Sequence, residues 1–312
     1  MPPIVHVLLA TFNGERHLAE QWASIEAQEG VRVVLHLADD GSSDGTVPLL
    51  RRLAAGRSGA VVDVLWLEAP PRRSACRSFM LLLADALRRS PDLQWVAFCD
   101  QDDIWLPRKL ASAVEALGGA APSPALYGGR TITVDEQDQE QGLSELFQRP
   151  PCFRNAVAQS IMGGNTMVLN GAAARLVSAS AGSPLQAHDW FSYQLVTGVG
   201  GVVRYDERAY LRYRQHDNNQ VGSNVGWRAA ARRLQRMFRG DYREWNDLHV
   251  AALLQRADAL TPSNRAVLEA FHRARQSRWP WRRLHWLRRS GVFRQPGIQQ
   301  LILWLACLAR RI

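Results

Sequence analysis

The chain has 312 residues, 46% of them hydrophobic, so it is long enough to bury a large core in one domain or in a domain with an appendage. Its net charge of +9 is concentrated in residues 227–312, where 18 arginines accompany five acidic residues, and its four cysteines lack the CxxC spacing of a zinc site. The longest apolar run, residues 301–309, is shorter than the roughly 18 to 20 residues of a membrane-spanning helix. The start Met1-Pro2-Pro3 lacks the layout of a signal peptide, which predicts a cytoplasmic protein.

Apolar runs and helical patterns alternate through about the first two hundred residues, which predicts βαβ units, a mostly parallel sheet and an α/β fold. Polar loops follow three of the predicted strands, and in an open α/β sheet such loops meet at the carboxyl edge, where ligands bind. The predicted strands are residues 4–10, 31–38, 61–67 and 95–99, and the predicted helices are about 15–28 and about 79–88. In the helix 15–28, Leu18, Trp22 and Ile25 share one face.

The second half has a less regular pattern. A basic helical pattern begins at about Trp227 and is interrupted near Pro280 and Pro296. We place a boundary near Ser223, which gives a domain of residues 1–222 and a basic amphipathic helical extension of residues 223–312. In the region before that boundary, the predicted strands are residues 166–169, 199–205 and 210–213, and the predicted helices are 171–179 and one that opens at 188.

An acidic run, Asp100-Gln101-Asp102-Asp103, directly follows the fourth predicted strand. Side chains alternate along a strand, so Asp100 and Asp102 can point to one side while Gln101 points away. Two carboxylates placed in this way can share one divalent cation, and that cation can hold a diphosphate. The run is also consistent with a helix start, in which Asp102 or Asp103 caps a helix that opens near Pro107.

Three further motifs have both a chemical and a structural interpretation. The carboxylate of Asp40 can accept the ring N–H of uracil or thymine, or the surrounding turn can simply cap the next helix. Asp189, between His188 and Trp190, can act as a general base, or the three residues can form a helix N-terminus with the tryptophan in the core. His216 can complete a metal shell or bind a diphosphate, or it can be an ordinary hydrogen-bonded histidine.

Taken together, the motifs resemble those of family 2 glycosyltransferases with the GT-A fold, and within that family those of bacterial L-rhamnosyltransferases. The resemblance covers about residues 4–222. It rests on five motifs in order: Thr11-Phe12-Asn13-Gly14, Asp39-Asp40-Gly41-Ser42-Ser43-Asp44-Gly45-Thr46, Asp100-Gln101-Asp102-Asp103-Ile104-Trp105, His188-Asp189-Trp190, and Tyr213-Arg214-Gln215-His216 with Asn218-Asn219.

The resemblance implies an inverting transfer of a sugar from a dTDP- or UDP-sugar, with dTDP-L-rhamnose favoured, to a saccharide or lipid-linked saccharide. It implies that Mg²⁺ or Mn²⁺ is bound by Asp102 and His216. An inverting transfer also needs a base for the acceptor hydroxyl, and Asp189 is the candidate. The implied donor contacts are Thr11, Asn13, Asp40, Asp100 and Arg214. Further contacts to acceptor or donor are expected at Gly164, Asn165, His188 and Trp190, where Trp190 would form an apolar wall.

The extension combines tryptophans and arginines with an apolar stripe. This composition predicts peripheral attachment to an anionic membrane at its cytoplasmic face, whereas packing on the domain or on another subunit is the alternative. No nucleic-acid-binding module is recognised. The stripe consists of Leu301, Trp304, Leu305, Leu308 and Ile312.

Three other functions compete with sugar transfer. A catalytically idle scaffold that binds nucleotide sugars would retain the same fold, but intact acids at Asp40, Asp102 and Asp189 argue against it. Metal-dependent hydrolysis of the donor is the alternative within enzymes. A dinucleotide-dependent dehydrogenase is disfavoured, because no GxGxxG follows the first predicted strand.

Overall fold

The computed structural model describes residues 1–120, 122–215 and 240–312. Its strands are β1 (Ile4–Thr11), β2 (Arg32–Asp39), β3 (Val61–Trp66), β4 (Trp95–Cys99), β5 (Ile104–Trp105), β6 (Ala125–Val134), β7 (Glu140–Leu143), β8 (Val168–Asn170) and β9 (Val202–Arg214). Its helices are α1 (Glu15–Glu26), α2 (Thr46–Ala55), α3 (Ala75–Arg89), α4 (Lys109–Leu117), α5 (Phe153–Ala156), α6 (Gly171–Ser178), α7 (His188–Gly198), α8 (Asp241–Gln255), α9 (Pro262–Gln276), α10 (Pro280–Ser290) and α11 (Gly297–Leu308).

The described strands form one sheet in the order β3-β2-β1-β4-β8-β6-β9-β5, and β7 pairs with β6. The half made of β3, β2, β1 and β4 is parallel, and β6 is parallel to β9, while β8, β5 and β7 pair antiparallel. The predicted α/β fold with a mostly parallel sheet is confirmed. The chain leaves β1 towards β3 and returns to β4 on the other side, so the carboxyl ends of β1 and β4 flank the topological switch point.

Side chains of β1 alternate between two hydrophobic clusters, one on each face of the sheet. Val7 and Leu9 belong to the cluster that contains Leu18 and Trp22 of α1, while Leu8 belongs to the cluster that contains Phe79 of α3. The predicted apolar face of α1 is therefore buried against the sheet. This two-sided packing explains why β1 is apolar over the four consecutive residues 7–10.

The differences from the sequence prediction include α3, β9 and β6. Helix α3 begins at Ala75 rather than near 79, because the hydroxyl of Ser74 accepts the N–H of Arg77 and caps the helix. The two strands predicted at 199–205 and 210–213 are one strand, β9, which pairs along β6. Strand β6 itself was not predicted, because Gly128 interrupts its pattern; a Cβ at that glycine would overlap the sulfur of Met162.

The C-terminal helices pack into the same core as the sheet. Val250 of α8, Phe271 of α9 and Leu287 of α10 lie in one hydrophobic cluster with Phe153 and Phe191. The predicted boundary near Ser223 lies outside the described residues. No helix in the described ranges is both long and apolar enough to cross a membrane.

Candidate active site

Polar loops follow β1, β2 and β4 at the same edge of the sheet. Thr11 at the end of β1 lies opposite Asp39 at the end of β2, and Leu9 lies opposite Cys99, the residue before Asp100. The register therefore brings the predicted donor-binding motifs next to one another. The sequence predicts a ligand site at this edge.

Gln101 connects the loop after β4 to the loop after β1. Its Oε1 accepts the backbone N–H of Phe12 at 2.9 Å, and its Nε2 donates to the carbonyl oxygen of Phe12 at 3.0 Å. A Cβ on Gly14 would overlap the amide of Gln101, so glycine at this position allows the contact. Gln101 thus fixes the acidic run relative to β1.

Thr11 and Asn13 order the loop after β2. The hydroxyl of Thr11 donates to Oδ1 of Asp39 at 2.9 Å, while Oδ2 of Asp39 accepts the N–H of Ser42 at 2.8 Å. Asn13, whose φ is 47°, accepts the N–H of Ser43 on its Oδ1 at 2.8 Å. Both predicted donor contacts therefore lie at the site edge and hold its backbone in place.

The carboxylate of Asp40 faces the segment that leads into α3. It accepts the backbone N–H groups of Arg72, Arg73 and Ser74, the last two at 2.9 Å each. These bonds fix the position of the carboxylate at the carboxyl edge of β2. Recognition of the nucleotide base by Asp40 stays a prediction.

Negative charge converges on the acid loop, residues 100–103. Burial, together with the neighbouring charges of Asp102 and Asp189, raises the pKa of Asp100 to about 7, while the charge of Lys109 opposes the shift. The N–H of Gly164 donates to Asp189 and the side chain of the adjacent Asn165 donates to Asp103, so the candidate base and the acid loop border the same turn. A divalent cation would relieve the repulsion among these carboxylates.

Asp103 is buried beneath this loop. Its Oδ2 accepts a 2.7 Å hydrogen bond from the side chain of Asn165, and its Oδ1 has no hydrogen-bond partner in the described part of the chain. Burial raises the pKa of Asp103 well above its usual value, and Asp102 and Asp100 add to the effect. Asp102 and Asp103 do not cap α4, since the N-cap of that helix is Arg108.

The acid loop fits a hard divalent cation. Asp100 and Asp102 supply the carboxylate oxygens that Mg²⁺ prefers, and sites of this kind commonly use one or two carboxylates together with substrate phosphates. Within residues 1–120, 122–215 and 240–312, no cluster of three or more His, Cys, Asp or Glu side chains is arranged to hold a metal. His216, the other predicted ligand, lies outside the described residues.

Arg214, at the end of β9, forms a hydrogen bond with the backbone of the acid loop. Its Nε donates to the carbonyl oxygen of Asp102 at 3.3 Å, and its Nη1 donates to that of Glu136 at 3.1 Å. Its Nη2 forms a 2.5 Å ion pair with Glu20. The guanidinium is thus engaged in supporting Asp102, and its predicted contact with the donor stays a prediction.

Asp189 lies in the first turn of α7 and contacts the glycine-rich turn 163–166. Its Oδ2 accepts the N–H of Gly164 at 3.1 Å, and its Oδ1 accepts the N–H of Trp190 at 2.7 Å. A Cβ on Gly164 would lie 2.7 Å from Nε2 of His188. Only glycine admits this close approach, so Gly164, His188 and Asp189 form one packed unit.

His188 and Trp190, which were predicted to contact the donor or acceptor, are both buried. The ring of His188 packs against Phe79 and Phe98 at centroid distances of 4.3 and 4.5 Å, and burial lowers its pKa. The indole N–H of Trp190 donates to the carbonyl oxygen of Ala156 at 2.7 Å, and the ring is buried. Trp190 is therefore buried beside α5, and its predicted contact with the donor or acceptor stays a prediction.

Phe12 and Lys109 lie at the candidate site, although neither was predicted from the sequence to act there. The side chain of Phe12 is 55% exposed at the site edge. Lys109 is buried, its Nζ lies 3.7 Å from the centroid of the Trp105 ring, and burial lowers its pKa to about 8 although Asp103 and Asp100 favour the charged form. The sequence contains one signal that could have identified Lys109, since it is the only lysine in a chain with 37 arginines.

Comparison with known proteins gives three kinds of similarity. Residues 6–179 match the family model described as Glycosyl transferase family 2. The chain is 26% identical over 235 residues to the dTDP-rhamnosyl transferase RfbG of Shigella flexneri, and this alignment covers 72% of the chain and 78% of RfbG.

Two solved structures are similar over most of the chain. The mannosyltransferase PcManGT of Pyrobaculum calidifontis, in complex with GDP-Man and Mn²⁺, has a TM-score of 0.56 at 18% identity and covers 100% of this chain and 85% of its own. S. aureus TarS 1-349, in complex with UDP-GlcNAc, has a TM-score of 0.49 at 14% identity, with 92% and 88% covered. The likeness to PcManGT shows a shared fold.

Proposed function

We propose, from the premise that this chain belongs to glycosyl transferase family 2, that it is an inverting, metal-dependent enzyme that transfers a sugar from a nucleotide donor. The observation that carries the proposal is that one short turn, residues 163–166, contacts both Asp103 of the acid loop and the candidate base Asp189. In agreement with this proximity, the charges of Asp102 and Asp189 both raise the pKa of Asp100. Acids for a donor complex and a base for an acceptor thus share one site.

The proposed donor is dTDP-L-rhamnose, with a UDP-sugar as the second choice. RfbG, a relative over 72% of the chain, is a dTDP-rhamnosyl transferase, which supports this choice. Asp40 would accept the ring N–H of the base, with Thr11 and Asn13 beside it. The exposed ring of Phe12 offers an apolar surface on which the base can stack.

Asp102 and His216 would hold Mg²⁺ or Mn²⁺, and Asp100 would contact the donor or a water bound to the cation. The cation supplies Lewis-acid stabilisation of the departing nucleoside diphosphate. The Mn²⁺ in the PcManGT complex supports a divalent cation of this kind. The chain's own contribution is to hold the acid loop in place, through Arg214 at the carbonyl of Asp102 and through Gln101 at Phe12.

Asp189 would remove the proton from the acceptor hydroxyl as that hydroxyl attacks the anomeric carbon. Each carboxylate oxygen of Asp189 already accepts one backbone N–H, from Gly164 and from Trp190. These two bonds fix the side-chain rotamer, while each oxygen keeps a lone pair that can accept the acceptor's proton. The backbone at Gly164 and Asn165 would border the acceptor sugar.

The proposed acceptor is a lipid-linked or surface-polysaccharide intermediate, reached at the inner face of the cytoplasmic membrane. An apolar patch of large exposed side chains on and beside α10 and α11 supports membrane attachment. The guanidinium of Arg288 lies 5.9 Å from the ring of Trp304, so positive charge borders the patch. The patch consists of Trp279, Trp281, Ile298, Leu301, Trp304, Leu305 and Leu308.

A thermal-shift screen of nucleotide sugars with Mn²⁺ tests the proposal. A ligand at 100 times its Kd stabilises the folded state by about 2.7 kcal/mol, so the correct donor should raise the unfolding midpoint most. Product analysis with and without an acceptor then separates transfer from hydrolysis and from binding alone. Absence of a shift with every dTDP- and UDP-sugar would contradict the proposed donor site.

A further inference from the structure

A buried histidine of α8 contacts the chain just before the candidate catalytic helix. Nε2 of His249 lies 3.3 Å from the backbone nitrogen of Gln186 and 3.3 Å from that of Ala187. Nδ1 of the same ring lies 3.0 Å from Oε1 of Gln194, a residue of α7. The imidazole is fully buried, so these contacts are shielded from water.

The hydrogen-bond pattern assigns the tautomer of His249. Backbone N–H groups can only donate, so Nε2 must be an unprotonated acceptor. The ring proton is then on Nδ1, where it donates to the amide oxygen of Gln194. Burial lowers the pKa of His249 to about 3, which agrees with a neutral ring.

The contact fixes the chain just before α7. Ala187, the N-cap of α7, forms no side-chain hydrogen bond with the first turn of the helix. His249 instead accepts the N–H of Ala187 and that of Gln186, the residue before it, from a distant segment of the chain. One turn later, the ring of Trp190 lies 4.9 Å from the His249 ring, so the first turn of α7 packs against it.

The C-terminal segment holds the other end of α7 as well. The side-chain amide of Asn264, in α9, donates to the carbonyl oxygens of Thr197 and Gly198 at 3.0 Å each. The N–H of Thr261 donates to the carbonyl oxygen of Gly198 at 3.1 Å. Helix α7, which carries Asp189, is therefore held at both ends by residues beyond position 240.

We propose that His249 is a positioning residue for sugar transfer, which fixes residues 186–187 and through them the carboxylate of Asp189. The described C-terminal helices are then a structural part of the catalytic unit, in addition to any membrane role. This inference rests on the proposed function, because it takes Asp189 as the base. A displacement of a reacting group by about 1 Å can lower a rate on the order of 100-fold, so such support has a measurable effect.

A matched pair of variants isolates the contact with residues 186–187. In His249→Gln, the side-chain oxygen reaches the position of Nε2 and can still accept the two N–H groups. In His249→Asn, the shorter amide occupies the position of Nδ1, so it keeps the contact with Gln194 and loses the contact with the backbone. Both variants replace a buried ring with an amide, so they share the general cost of losing the imidazole.

We expect the Asn variant to lose about tenfold or more in kcat while its KM for the donor and its Kd for nucleoside diphosphate with Mn²⁺ stay close to wild type. The Gln variant should retain most of the wild-type kcat. Hydrogen exchange should be faster at the amides of Gln186 and Ala187 in the Asn variant alone. Equal kcat values in the two variants, or a parallel loss of donor binding, would overturn the proposal.

Nitrogen NMR of the wild-type protein provides a test that needs neither a variant nor activity. We expect the His249 ring to be protonated at Nδ1 at neutral pH, and an Nε2-protonated ring would overturn the inferred contact. If the wild-type protein transfers no sugar from any nucleotide donor, the proposed function fails instead. The two failures are therefore distinguishable.

Discussion

The side-chain amide of Asn165 donates a 2.7 Å hydrogen bond to Oδ2 of Asp103, and both side chains are buried. The bond joins the glycine-rich turn 163–166 to the acid loop. In the same turn, the N–H of Gly164 donates to Asp189. One short turn thus contacts both the candidate base and the loop proposed to bind the metal, and it sets the spacing between them.

Replacing Asn165 should damage both stability and donor binding. In Asn165→Leu, the buried carboxyl of Asp103 loses its side-chain hydrogen bond, and an unsatisfied buried polar group costs about 1 to 3 kcal/mol. Urea denaturation should show a loss of this size, and the affinity for nucleoside diphosphate with Mn²⁺ should fall. Unchanged stability together with unchanged affinity would show that the Asn165–Asp103 bond does not organise the acid loop.

Asp189→Asn should separate chemistry from donor binding. The amide oxygen can keep one of the two backbone hydrogen bonds of Asp189, but the side chain can no longer accept a proton, so transfer should fall roughly 10²- to 10⁴-fold. Steady-state assays at saturating acceptor and calorimetry with the donor measure the two quantities. Asp92→Asn, at an exposed acid before β4, is the control. Near-wild-type turnover in Asp189→Asn would show that Asp189 is not the base and acts only at the start of α7.

Membrane attachment is best tested by surface substitutions. Deletion of the C-terminal helices would remove Val250 and Phe271 from the shared core and unfold the protein. Trp281 and Leu305 are 63% and 54% exposed, so Trp281→Ser with Leu305→Ser should spare the core and weaken flotation with anionic vesicles.

The double variant is compared with Leu143→Ser, which removes an exposed leucine from β7. Binding of the wild type should also decrease as salt screens the arginines. If the double variant floats as well as the control, or if the wild type ignores anionic vesicles at low salt, the patch packs against protein instead.

Acid should destabilise the fold through His36. Nε2 of His36 lies 2.9 Å from Nδ1 of His6, and burial, helped by the charge of His6, lowers the pKa of His36 from 6.5 to about 4. The unfolded chain therefore binds this proton at a higher pH than the folded chain. The stability contributed above pH 6.5 is lost as the pH falls towards 4, by about 2 to 3 kcal/mol at pH 4.5.

Urea denaturation at pH 7 and pH 4.5 measures this loss in the wild type and in His36→Gln. The variant should lose less stability over the interval, because its amide does not titrate. An equal loss in both proteins would assign the acid sensitivity to other groups.

Local patterns were sufficient to predict the strand ends but not the contacts beneath them. The motifs that begin at Thr11, Asp39 and Asp100 follow apolar runs, and the rule for parallel sheets brings such loops together. The contact of His249 with residues 186–187 joins segments more than 60 residues apart, and no local pattern encodes it. Arg214 illustrates the same limit, since its charge is visible in the sequence whereas its pairing with Glu20 is not.

The most direct measurement is the titration of dTDP or UDP into the wild type and Asp102→Ala by calorimetry, with Mn²⁺ and again with EDTA. We expect binding by the wild type to need Mn²⁺, and the Asp102→Ala variant to lose this dependence and at least about tenfold in affinity. Asp92→Ala should bind as the wild type does. Equal affinity of the wild type and Asp102→Ala in Mn²⁺ would contradict the proposed donor site.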